Sequence, residues 1–226
     1  MISVVTLTYR RHHLLEEAIH SFLAQDFDCE SEMVIINDSP LATYSIDDDR
    51  VRIINLSERL SSIGKKLEYG MKACKYDHVY RLDDDDLLSP WALSLVASYI
   101  NGNPGYDVYR CYAHYFYSDN VYLDIGGSVN NGNCYSRKYI NRITFPDVSV
   151  IEDGMITFGN DAKVYTGNTG YYSMIYRWGM GTTHISGIGN NDSQQVYDIV
   201  DSRSTEQGHI HLRPHFNDDY YAMLPK

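Results

Sequence analysis

Apolar residues in the first hundred positions fall into two alternating textures. Short runs rich in β-branched residues, ISVVTLTY (2–9), EMVIIND (32–38), RVRIINL (50–56) and DHVYRL (77–82), have the length and composition of buried strands. Between them lie segments of helical period. In LLEEAIHSFLAQ (14–25), Leu15, Ala18, Ile19 and Phe22 recur at the spacing of one helix face, and SSIGKKLEYGMKACK (61–75) reads as a helix in spite of two glycines. A third helix is predicted over SPWALSLVASYI (89–100), with Ser89 as N-cap and Pro90 in the first turn, where its missing N–H costs little. Strands alternating with helices predict an α/β fold: a mostly parallel central sheet with helices on its faces. Ligands of such sheets sit beyond the carboxyl ends of the strands.

After Pro104 the texture changes. YDVYRCYAHYFYSD and NVYLDI are tyrosine-rich and alternating, as antiparallel strands are, and the 21 tyrosines concentrate there and in the tail. The expected organisation is one domain over 1–226, with a first half (1–103), a second half (104–190) and a C-terminal tail (191–226). Charge narrows the choice of partners, because 30 acidic against 19 basic residues give a formal net charge of -11. That balance disfavours a broad grip on nucleic acid or an anionic membrane. Cys29, Cys74, Cys111 and Cys134 are far apart, without a CxxC pair, and read as thiols in a reducing compartment rather than disulfides or a zinc site. No stretch approaches the ~18 apolar residues of a membrane span, and MISVVTLTYRRHH lacks a basic region ahead of its apolar run. A cytoplasmic location is expected.

The chemistry concentrates in VYRLDDDDLLSP (79–90), where four carboxylates follow a strand. Unit charges at ~4 Å repel by roughly 4 kcal/mol at an effective dielectric of about 20, so this run calls for water, a helix N-terminus or a cation. A turn capping the following helix, with Asp86 as the cap, would tolerate the charges. An EF-hand is excluded, because counting from Asp83 the sixth position is Leu88 and the twelfth Ser94, where glycine and glutamate are needed. A phosphoaspartate hydrolase also uses a strand-end DxD, but Leu87 and Leu88 stand where it would carry a small hydroxyl or β-branched residue. The remaining possibility is an oxygen-ligand site for Mg2+ or Mn2+ that holds nucleotide phosphates. Alternation along an extended segment would place Asp83 and Asp85 on one face and Asp84 and Asp86 on the other.

Five motifs in order give this run a context: LTYRR (7–11), IINDSP (35–40), IGKKLEYG (63–70), LDDDDLLSP (82–90) and IEDG (151–154). Together, over roughly residues 1–185, they resemble a GT-A fold glycosyltransferase of the family 2 type, a Rossmann-like nucleotide-diphospho-sugar transferase. The usual forms there are PTYNR, VVDDGS, GxKRN or ARNxG, LDxDDxxxP and a later ED. The chain departs from them at Leu7, at Arg10 in place of asparagine, at Asn37 in place of the first aspartate, and at Leu67 and Glu68 in place of Arg-Asn.

The resemblance implies a metal-dependent, inverting transferase that moves a sugar from a nucleotide-sugar, most often a UDP-sugar, to a hydroxyl on a saccharide, protein or modified DNA. Thr8, Tyr9, Arg11, Asp38, Gly64, Lys66, Asp83 and Asp84 would hold the donor, with Lys65 as a substitute contact. Asp85, Asp83 and His184 would hold Mn2+ or Mg2+, Asp153 would be the catalytic base and Glu152 its fallback. The glycine-rich YRWGMGTTHISG (176–187) would form a lid, and Trp178 would stack on a sugar or fill the core. The chain is also similar to small bacteriophage transferases, some of which act on hydroxymethylated bases in DNA; SRKYINR (136–142) and YRRHH (9–13) would then supply phosphate contacts. A catalytically idle nucleotide-sugar-binding module is a further alternative.

Overall fold

The computed structural model of the protein describes residues 1–118, 121–126, 129–149, 151–178, 198, 201–202 and 204–224. The first half runs β1 (Ile2–Thr8), α1 (His12–Leu23), β2 (Ser31–Asn37), β3 (Ala42–Ser45), β4 (Val51–Asn55), α2 (Ile63–Ala73), β5 (His78–Arg81), β6 (Leu87–Leu88) and α3 (Ala92–Gly102). Next come β7 (Val108–Cys111), β8 (Ala113–Ser118), β9 (Val121–Gly126), β10 (Cys134–Ser136), α4 (Arg137–Ile140), α5 (Glu152–Phe158), β11 (Val164–Gly167) and β12 (Met174–Arg177). The tail adds β13 (Gly208–His211) and a 3₁₀ turn, Tyr220–Met223.

The main sheet has seven strands in the order β11-β7-β10-β5-β1-β2-β4. Strands β4, β2, β1 and β5 are mutually parallel, β10 is antiparallel to both β5 and β7, and β11 is parallel to β7. The four parallel strands therefore end on one edge, at Asn55, Asn37, Thr8 and Arg81. Alternation along β1 explains the layering. Ile2 and Val4 pack with Leu15, Ile19 and Phe22 of α1 and with Leu93 and Val96 of α3, whereas Val5 packs with Leu67 and Met71 of α2. Helices thus cover both faces, as the strand-helix alternation requires. A second sheet, β6-β12-β8-β9, stands beside the first, and β3 pairs in parallel with β13 of the tail.

The helix bounds differ from the sequence reading most at α3. Pro90 and Ser89 precede it, Trp91 is at the N-cap position without a capping side chain, and Ser89 Oγ donates instead to Tyr172 O at 2.7 Å. Leu87 and Leu88 form the short β6, paired with β12, so the acidic run is separated from α3 by a strand. The two glycines of α2 have a packing reason. Ser62 caps this helix, accepting from Lys65 N at 3.2 Å, and a methyl group on Gly64 would overlap the carbonyl oxygen of Pro146. On Gly70 it would press on Val5 and Ile36 of the sheet. All four cysteines are free thiols, three of them buried. No helix among the described residues is long and apolar enough to cross a membrane.

Gly64→Ala is expected to destabilise the protein by about 1–3 kcal/mol in urea unfolding, because the obstacle is backbone that cannot swing aside. Gly102→Ala, with nothing within 4 Å of the added methyl, serves as the control. It is expected to be neutral or to stabilise by up to about 1 kcal/mol.

Candidate active site

Immediately after β5 the chain turns on itself: Asp86 N donates to Asp83 O at 3.2 Å, before β6 begins. This turn replaces the expected alternation of side chains. Asp84 and Asp86 are fully buried, Asp85 nearly so, and Asp83 is the most open of the four. Three arginines surround them, one from the strand just before the turn and two from remote segments. Arg11, at the start of α1, holds Asp84 with two nitrogens and Asp85 Oδ2 at 3.0 Å. Arg81, the last residue of β5, donates to Asp83 Oδ1 at 3.1 Å and to Glu152 Oε1 at 3.2 Å. Arg177, the last residue of β12, donates its Nε to Asp85 O at 2.5 Å and its backbone N–H to Asp86 Oδ1 at 3.0 Å.

Burial raises the pKa of Asp83 and pushes that of Asp84 up to about 6, with Arg81 and Arg11 respectively opposing the rise. Asp86 is raised further, by burial and then by Asp85 and Asp83. Asp86 does not cap α3. Its carboxylate accepts from Asn131 Nδ2 at 2.6 Å and from Arg177 N, tying the turn to the second half of the chain. The cations, rather than a helix dipole, make the run tolerable.

The donor-side candidates line the same edge. Lys66 is buried and donates to Thr8 O at 2.6 Å and to Asp38 Oδ1 at 2.5 Å, while Asp38 Oδ2 accepts from Leu60 N at 3.1 Å. Burial lowers the Lys66 pKa against the pull of Asp38. Thr8 Oγ1 is buried beside Asp84, outside ordinary hydrogen-bond geometry, although it favours the ionised form of that carboxylate. Arg59, which carried no signal in the sequence, lies over the Tyr9 ring at 4.9 Å. Arg11, a donor-holding candidate, is engaged with the acidic turn. Gly64 is a close-packing position, and Lys65 is spent on Glu68 at 2.8 Å.

Asp153 is half-buried in the first turn of α5, close enough to Asp83 and Arg81 to act on both electrostatically. Its neighbour Glu152 is buried as the partner of Arg81, its pKa raised by burial. His184 and most of the 176–187 segment lie outside the described residues. Trp178 is 38% exposed, which rules out core filling. Glu17 is a residue that sequence reasoning missed. It is buried on α1, pairs with Arg177 and accepts from Asn217 N at 2.9 Å and Tyr220 Oη at 3.0 Å. The available signal was its place three residues after Leu14, at the margin of the apolar stripe.

Oxygens of Asp83, Asp85 and Asp86 lie within 4.8 Å of one another. A set of carboxylates alone suits the hard cations Mg2+ and Mn2+. Asp86 already accepts on both oxygens, from Asn131 Nδ2 and Arg177 N, so Asp83 and Asp85, each held by an arginine through one carboxylate oxygen, are the residues that would hold such a cation. A second group, His12, His13 and Glu206, also meets within 4.8 Å.

A Rossmann-like sheet with an acidic turn at the carboxyl edge of its parallel strands defines a GT-A type nucleotide-diphospho-sugar fold. Residues 3–160 match the model of glycosyl transferase family 2, and the chain belongs to that family. No curated protein matches the chain. Solved structures share the fold. TarS 1-349 of S. aureus in complex with UDP-GlcNAc superposes with a TM-score of 0.67 at 18% identity, covering 88% of this chain and 65% of that one. The mannosyltransferase PcManGT from Pyrobaculum calidifontis, in complex with GDP-Man and Mn2+, gives 0.58 at 12%, covering 90% and 68%. Glucosyl-3-phosphoglycerate synthase from Mycobacterium tuberculosis gives 0.55 at 15%, covering 90% and 79%. The chain spans 60% of TarS 1-349 on its own and with UDP.

Breaking the buried Arg177–Glu17 pair from one side should be costly. Arg177→Met is expected to lower unfolding free energy by about 3–5 kcal/mol, the usual effect of stranding a buried charge. Adding Glu17→Gln should recover part of that loss, so that the double variant is more stable than the sum of the singles predicts. Strict additivity in urea unfolding would show that the pair is not coupled.

Proposed function

We propose that the protein is a metal-dependent, inverting glycosyltransferase that moves a sugar from a nucleotide-sugar, a UDP-sugar in the favoured form, to an acceptor hydroxyl. The observation that carries this reading is the acidic turn, whose carboxylates converge at the carboxyl edge of the sheet with Asp153 facing them from α5, in a chain of glycosyl transferase family 2. Thr8, Tyr9, Asp38 and Lys66 form the donor side. Lys66 and Asp38 act by fixing the strand ends rather than by direct contact, since both are buried and paired with each other. Asp83 and Asp85 hold Mn2+ or Mg2+, which when bound offsets the negative charge that grows on the departing diphosphate.

Asp153 is the general base. It takes the proton from the acceptor hydroxyl as that oxygen attacks the anomeric carbon, and the bond from the anomeric carbon to the diphosphate oxygen breaks in the same displacement. Inversion follows from a single attack opposite the leaving group. Glu152 is assigned to positioning, because its carboxylate is buried against Arg81, which in turn orients Asp83. A DNA acceptor finds little support among the residues first considered for it. Arg137 donates to the carbonyls of Met71, Cys74 and Tyr76, Arg142 is paired with Asp107, and Arg10 and Arg11 are engaged internally.

Asp153→Asn is expected to keep donor binding while lowering transfer by roughly 10²–10⁴-fold, the range for loss of a general base. Transfer at the wild-type rate would remove Asp153 from that role. If a panel of saccharide, protein and hydroxymethylated-DNA acceptors yields no product with the wild-type protein, the idle binding module becomes the better account. In calorimetry, UDP should bind in Mn2+ and not in chelator, and Asp85→Ala should abolish the difference. Equal affinity under both conditions would exclude the metal.

A further inference from the structure

The C-terminal segment returns to the site from the far end of the chain. Arg10 is the point of attachment: its backbone is left-handed, with φ of 54°, and its side chain is only 7% exposed. Its guanidinium donates Nη1 to Asp201 Oδ1 at 2.9 Å, Nη2 to Ser204 O at 2.6 Å and Nε to Glu206 O at 3.0 Å, and Ser204 Oγ donates back to Arg10 O at 2.9 Å. Glu206 is fixed in turn by His12, through backbone N–H and ring nitrogen at 2.9 and 2.7 Å, and by Tyr44 Oη at 2.6 Å. Strand β13 then follows, in register with β3.

This much polar bonding to one arginine places a particular group where the donor would lie. Asp201 Oδ1 also accepts from Tyr9 Oη at 2.9 Å, and Asp201 Oδ2 is 3.9 Å from Arg59 Nη2, whose guanidinium covers the Tyr9 ring. Asp201 keeps 39% and Arg59 23% of the side chain open to solvent. A carboxylate and a part-open guanidinium thus stand side by side over the Tyr9 ring, at the end of β1 and near Lys66. Guanidinium planes and aromatic rings are the surfaces on which nucleobases stack, and a carboxylate beside a guanidinium complements an N–H flanked by a carbonyl. Uracil and guanine have such an edge.

We propose that Asp201, Ser204 and Glu206 of the C-terminal segment complete the donor site, with Asp201 and Arg59 recognising the edge of the nucleobase and Arg10 acting as the positioning residue that seats them. The proposal rests on the nucleotide-sugar reading above. It makes the tail a source of nucleotide specificity and gives the arginine at position 10 a task in binding.

The test separates base recognition from diphosphate binding. Calorimetry in Mn2+ would compare UDP, GDP, ADP and CDP with inorganic pyrophosphate, which carries the metal-bound part of the ligand and lacks the base. For Asp201→Ala and Arg10→Ala, the nucleotide that wild type prefers is expected to bind at least tenfold more weakly, and pyrophosphate as in wild type. Asp201 is an exposed side chain, so that variant keeps the test informative if Arg10→Ala does not fold. Unchanged nucleotide affinity in Asp201→Ala would overturn the proposal, as would equal weakening of nucleotide and pyrophosphate. If wild type binds pyrophosphate and no nucleotide, the donor reading itself fails and the proposal with it.

Discussion

Of four adjacent carboxylates, three are folded into the interior of this protein and the fourth is part-open, and the rest of the structure is arranged to make that possible. Burying a charge costs several kcal/mol even after relaxation, so the turn at 83–86 exists only where cations meet it in fixed positions. Arg11 comes from the start of α1, Arg81 from the end of β5 and Arg177 from the end of β12. Arg177 is itself fully buried and must be balanced, by Glu17 of α1 and Tyr220 of the tail. Forming the acidic turn therefore requires the first sheet, the second sheet and the tail to be in place together. Local order at the site is a consequence of global folding.

The same balance bears on function. Carboxylates outnumber cations at this edge, Asp83, Asp84, Asp85, Asp86 and Glu152 against Arg11, Arg81 and Arg177, and burial raises the pKa of Asp83, Asp84, Asp86 and Glu152 there. Arg11 bears directly on this, since its guanidinium sits on Asp85, one of the two carboxylates assigned to the metal. A cation arriving there meets a resident cation on one of its ligands.

Departures from the usual family 2 motifs acquire physical reasons in the fold. Asn37, in place of aspartate, donates its amide to Ala42 O at 2.7 Å and to Asn55 Oδ1 at 2.9 Å, which an ionised carboxylate cannot do. That bond fixes the start of β3, the strand on which β13 of the tail is laid. Arg10, in place of asparagine, grips the same tail. Leu67 is core, packed between α2 and the sheet, while Glu68 pairs with Lys65 and Lys72 on the surface. Two of these changes serve one interface, between the edge of the first sheet and the C-terminal segment.

The sequence by itself determined the alternation of strands and helices, the parallel sheet, the family and the position of the acidic run at a strand end. These follow from short-range periodicity and from the spacing of motifs along the chain, which need no knowledge of distant contacts. It left undecided what the charged residues do, because that depends on partners far away in sequence. Glu17 reads as a solvated helix residue until Arg177 is brought to it, Asp86 as a cap until β6 comes between it and α3, and Arg11 as a donor contact until Asp84 and Asp85 close on it. The tail had no motif at all; its pairing with β3 and Arg10 was decided by tertiary structure alone, because hydrogen bonds between residues about 165 to 195 positions apart leave no local pattern to read.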